Sequence, residues 1–134
     1  MLAQFTKGSN DRPYGQELPV TYDRQTKTWA PPAGLTYEPD DTHGDRIHHV
    51  MQHLIPNVEK RTHSVFNVPE SKVLTLIDEA WRRESLAVVI KQPKNSFAYD
   101  IQMDRVVGTK DEKTIRVVIE GKGSGNVITS FPLK

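Results

Sequence analysis

Apolar positions change their spacing twice along this chain. Residues 1–44 keep no sustained period of 2 or 3.6, and five of the nine prolines fall there, two of them in "WAPPAG". Such a stretch reads as an extended leader or linker arm with one short strand around Val20–Tyr22, packing a few anchors (Tyr22, Trp29, Leu35, Tyr37) on the folded part. From Asp45 the spacing becomes helical. In "DRIHHVMQHLI" the residues Ile47, Val50, Met51 and Leu54 fall at i, i+3, i+4, i+7, with Asp45 as N-cap and Pro56 as the stop. A second helix is expected in "NVPESKVLTLIDEAWRR", where Pro69 and Glu70 suit the first turn. There Val73, Leu74, Ile77, Ala80 and Trp81 form the buried stripe.

Beyond Arg83 the period falls to 2. "LAVVIK", "FAYDIQMDRVVG", "TIRVVIEG" and "NVITSFPL" read as four strands, separated by "QPKNS", "GTKDEK" and "GKGSGN". Loops this short make the last three strands an antiparallel meander. The expected class is α+β, with an N-terminal arm and two helices packed on a C-terminal antiparallel sheet of about four strands. Residues 1–44 are the expected arm and residues 45–134 the expected domain.

Composition narrows the chemistry. At 134 residues the chain has material for one core. A formal net charge of +1 means that RNA binding would need a local basic patch. Absence of cysteine excludes disulfides and thiolate metal sites. No apolar run approaches the roughly 20 residues of a membrane-spanning helix, so no membrane span is expected, and the N-terminus lacks the apolar core of a signal peptide.

Histidine is the residue that stands out. Four of the five, His48, His49, His53 and His63, fall within sixteen positions. On the wheel His49 and His53 lie opposite the apolar stripe, with His48 on a flank. One reading is a solvated helix face that happens to be rich in histidine. A second is a metal site, since H-x-x-x-H presents two imidazoles at zinc spacing; but Val50, where the zinc-protease pattern needs glutamate, follows His49. A third is acid–base catalysis without metal or other cofactor. Internal cleavage of RNA requires a base for the 2′-hydroxyl, an acid for the leaving 5′-oxygen, and donors for the phosphorane. Imidazoles titrate near neutrality and suit the first two tasks. Lys60 and Arg61 beside His63 supply positive charge, and Thr129 and Ser130 in the last strand supply hydroxyls.

The motifs "HHVMQH", "HSVF", "IDEAW", "YDIQMDRVVG" and "VITSFP" together resemble the C-terminal toxin domains of bacterial polymorphic toxins. These belong to the barnase, EndoU, colicin D and RelE-like ribonuclease superfamily and include effectors of contact-dependent growth inhibition. The resemblance covers roughly residues 43–134. It implies an endoribonuclease, expected to act on tRNA, that cleaves by 2′-O-transphosphorylation. His49 and His63, fourteen apart, match the EndoU histidine pair and would be acid and base, with His53 assisting. Thr129 or Ser130 would bind the scissile phosphate, and Arg46, His48, Lys60 and Arg61 would hold the RNA. The family's lysine has three candidates in Lys60, Lys91 and Lys94, and its terminal tyrosine is Phe131 here. The implied partners are a cognate immunity protein and, as the resemblance allows, a host translation factor. The implied route is secretion as the C-terminal part of a larger effector that acts in the target-cell cytoplasm. The competing class is a non-catalytic binding or phage-associated structural domain of the same fold.

Strand alternation bears on the two hydroxyls. In an uninterrupted strand Val127, Thr129 and Phe131 share one side, and Ile128 and Ser130 the other. With Val127 and Phe131 as core anchors, Thr129 would be buried and Ser130 turned to the cleft, whereas the resemblance favours Thr129.

Overall fold

The computed structural model describes residues 12–40, 44–51 and 65–134. Its centre is a four-stranded antiparallel meander in the order β5-β6-β7-β8: Val88–Gln92, Ser96–Gln102, Thr114–Glu120 and Asn126–Leu133. Before it come the hairpin β1 (Thr21–Asp23) and β2 (Thr28–Ala30), the short pair β3 (Pro39–Asp40) and β4 (Gly44–Asp45), helix α1 (Arg46–Met51) and helix α2 (Val73–Trp81). The class is α+β, as the change of period implies.

The helices and the inner strands bury the positions that the pattern marks, whereas the edge strand β5 leaves Val88, Val89 and Ile90 exposed. In α2 the residues Val73, Leu74, Ile77, Ala80 and Trp81 are all at most 3% exposed. Described residues of α1 bury Ile47, Val50 and Met51; Leu54 lies outside the described residues. Register puts Tyr99, Val117 and Ser130 side by side, and next to them Ile101, Ile115 and Pro132. That face of the sheet meets both helices, and Trp81 closes on Tyr99 with ring centroids 4.9 Å apart. Each apolar side chain fully buried there contributes on the order of 1.5–3 kcal/mol.

The expected strand over "FAYDIQMDRVVG" ends early, at Gln102. Glu112 shapes the loop that follows. Its carboxylate is buried, accepts the Lys110 N–H at 2.8 Å, and leaves no room for a β-carbon at Gly108, which would come within 2.1 Å of Glu112 Oε1. In that loop Gly108 bridges Phe66.

Residues 12–40 are more than a strap with anchors. Leu35 and Tyr37 are buried as expected, Trp29 packs against the core, and Tyr22 stacks on Trp29 at 4.5 Å. Beyond these, Val20 is 1% exposed in the same core, and three sets of hydrogen bonds stitch the segment to the rest. Gln16 is buried at the start of α2, accepts the Leu74 N–H at 2.9 Å and donates to the Glu70 carbonyl. Ala33 N–H donates to the buried Asp78 carboxylate at 3.2 Å. Thr36 pairs in parallel with the start of β8, exchanging bonds with Gly125 and Val127. Gly125 permits this approach, since a β-carbon there would lie 2.5 Å from the Gly34 carbonyl.

Candidate functional site

Helix α1 packs against β8, and this junction carries the described part of the expected site. Asp45 caps the helix as predicted, accepting the His48 N–H at 2.9 Å. Arg46 is half-buried and its Nη1 donates to the Ile128 carbonyl at 3.3 Å, so this residue, expected to hold RNA, also braces β8. His49 lies one turn further on the same side of the helix and is half-buried. His48, expected on a flank, is the exposed histidine of the two, with its ring 6.0 Å from that of Tyr14. His53, His63, Lys60 and Arg61 lie outside the described residues, as does His43.

The terminal strand reverses the simple alternation. Between Val118 and Ile119 the register shifts: Val118 pairs with Thr129 and Ile119 with Val127, leaving Ile128 as the extra residue of a β-bulge. Val127 therefore shares the core face with Ser130 and Pro132, while Thr129 and Phe131 take the opposite face. Ser130 is fully buried and its hydroxyl donates to the Arg116 carbonyl at 2.9 Å. The expectation that Ser130 turns to the cleft fails on this one inserted residue. Thr129 behaves oppositely. Its Oγ1 is shielded from solvent and finds no hydrogen-bond partner among the described residues.

On the face that Thr129 joins, two further residues form a pair that sequence reading did not single out. Arg116 donates through Nε and Nη2 to the two carboxylate oxygens of Asp100, at 2.6 and 2.8 Å. The side chains are 22% and 16% exposed, enough burial to hold the geometry. Hydrogen bonding to Asp100 holds the Arg116 guanidinium above its usual value. Arg116 stands directly across from Phe131, and Val118, two residues on, stands across from Thr129. Arg116 and the unsatisfied Thr129 hydroxyl share this face of the sheet; Asp100 engages Nε and Nη2, so Nη1 is the guanidinium nitrogen that Asp100 does not engage. The polar positions in "YDIQ" and "TIRVV" were the available signal; pairing them requires the register.

Among the described residues no group of three or more histidine, aspartate or glutamate side chains is arranged to hold a metal ion, and no helix is long and apolar enough to cross a membrane. The chain matches no family model, no curated protein and no solved structure.

Proposed function

We propose that the protein is a metal-independent endoribonuclease toxin of the barnase, EndoU, colicin D and RelE-like kind, with tRNA as the expected substrate. The observation that carries this reading is the Thr129 hydroxyl, buried without a partner on the same sheet face as the Arg116–Asp100 pair. An orphaned buried hydroxyl costs about 1–3 kcal/mol, and a bound phosphate oxygen would satisfy it.

In this reading one histidine of the pair His49 and His63 takes the 2′-hydroxyl proton. The 2′-oxygen attacks phosphorus, the P–O5′ bond breaks, and the other histidine gives its proton to the departing oxygen. The products are a 2′,3′-cyclic phosphate and a 5′-hydroxyl, with no net proton change and no co-reactant. Thr129 would bind the phosphorane, with the Arg116–Asp100 pair fixing the sheet face around it, His53 would assist, and Arg46, Lys60 and Arg61 would face flanking phosphates. Ser130 belongs to the scaffold. A cognate immunity protein would cover this face, and delivery as the C-terminal part of a larger effector would bring the domain to a target cytoplasm.

The test is incubation of the purified chain with total RNA, with and without chelator, followed by sequencing of the new ends. Cleavage is expected to survive chelation and to leave cyclic phosphate. His49→Ala should lower the rate by about 10²-fold or more. Thr129→Val should lower the rate while the fold stays at least as stable, whereas Ser130→Ala should cost about 1 kcal/mol of stability and leave the chemistry intact. Intact RNA under all these conditions would favour a non-catalytic binding domain.

A further inference from the structure

The turn Pro13–Gly15 holds Tyr14 at φ 56° and ψ 32°, the left-handed region that a tyrosine enters at a cost. Burial does not recover that cost, because Tyr14 is 43% exposed. Its ring is nevertheless fixed at both ends. On one side the chain is anchored two residues later by the buried Gln16 at the head of α2. On the other, the hydroxyl donates to Asp45 Oδ2 at 3.0 Å, while Asp45 Oδ1 caps α1. Partial burial, then the bond to Asp45, pushes the Tyr14 hydroxyl up to about 12, so it stays a neutral donor across the physiological range. The exposed His48 stands against the ring, centroids 6.0 Å apart and planes tilted by 59°. Arg12, exposed, precedes the turn.

A tether to Asp45 needs a hydroxyl, which serine or threonine could supply in other geometries without presenting an aromatic face to solvent. A strained, immobilised and exposed ring at an angle to an imidazole is suited to stacking. It has lost its rotamer freedom in advance, so that a planar ligand orders little on binding. Given the RNA reading above, on which this rests, we infer that Tyr14 and His48 form a stacking subsite for one unpaired nucleobase flanking the cleaved bond. The subsite selects single-stranded over duplex RNA, because a base in an A-form helix has no free face to offer. It tolerates all four bases, because each has a π-face.

The test is anisotropy of a labelled single-stranded RNA bearing 2′-O-methyl sugars, which cannot be cleaved, against a duplex of the same sequence. Tyr14→Asn removes the ring and puts at this φ a residue that accepts left-handed backbone, so the fold is kept. It should weaken single-strand binding roughly tenfold, the scale of one lost stacked base, and leave duplex binding unchanged. Tyr14→Phe keeps the ring and should stay much nearer the wild type; His48→Ala should fall between. Wild-type affinity in Tyr14→Asn, or equal losses on both RNAs, overturns the subsite. If the wild type cleaves RNA and Tyr14→Asn binds normally, only the subsite falls. If the wild type neither binds nor cleaves any RNA, the ribonuclease reading falls with it.

Discussion

Replacing Gln16 by alanine asks whether residues 12–40 are part of the cooperative fold. The side chain is 1% exposed and spends its amide at the head of α2. Truncation leaves the Leu74 N–H buried without its acceptor, which costs about 1–3 kcal/mol. The Glu70 carbonyl loses a donor too, but keeps the bond from Val73 N–H, so its share is smaller. With the lost packing of the side chain added, the expected destabilisation is about 3 kcal/mol. For 134 residues at about 2.1 cal/mol/K each, the unfolding entropy is about 0.28 kcal/mol/K, so Tm should fall by about 10 °C. Gln16→Glu is the companion variant: it keeps shape and acceptor but sets an oxygen against the Glu70 carbonyl. Burial would raise that carboxyl, so the variant should lose stability as pH rises above the ordinary glutamate range. Urea unfolding followed by circular dichroism measures both. An unfolding free energy for Gln16→Ala within about 0.5 kcal/mol of wild type would show that the segment is a dispensable arm.

Three further outcomes are expected. Burial raises the Asp78 carboxyl, against the lowering effects of the Ala33 N–H and Arg82, so the folded state holds this proton more tightly than the unfolded state does. Stability from this group is therefore lost as pH rises from about 4 through the raised value, and Asp78→Asn should flatten that fall in urea titrations across pH. Arg116→Met should cost about 1–2 kcal/mol by leaving Asp100 half-buried and unpaired. Adding Asp100→Leu should recover part of it, and simple additivity in that double-mutant cycle would deny the coupling. Arg46→Met should lower thermal stability as well as RNA affinity. A pure phosphate contact would instead reduce the salt dependence of binding by about one unit of slope and leave Tm alone.

The helices and strands were legible because their apolar positions repeat at the period of the element, and a stripe such as Val73, Leu74, Ile77, Ala80, Trp81 has one geometric solution. The first segment was legible only in anchors such as Leu35 and Tyr37, because its fastening to α2 runs through a single buried glutamine. A lone polar residue carries no period, and the Leu74 N–H that it accepts lies 58 positions away. Asp100 and Arg116 sit at polar positions of alternating strands, which the pattern marks as the solvent face. That they meet depends on a register of seven paired residues that no local signal encodes. For His53, His63, Lys60 and Arg61 the expectation rests on the sequence, since they lie outside the described residues.

The bulge at Ile128 is the point where one residue decides the chemistry available. With a regular ladder, Val127 in the core would draw Thr129 in after it and turn Ser130 out beside Arg116. The inserted residue exchanges them: Ser130 spends its hydroxyl on the Arg116 carbonyl, and Thr129 keeps an unsatisfied oxygen on the face of the Arg116–Asp100 pair. "VITSFP" holds no glycine to announce this, because the bulge is fixed from outside the strand. Arg46 binds the Ile128 carbonyl from α1, and Thr36 from the first segment accepts the Val127 N–H at 2.8 Å. Two elements far apart in sequence thus set the parity of the last strand. The first segment and α1 are therefore as much part of the candidate site as the hydroxyl they orient.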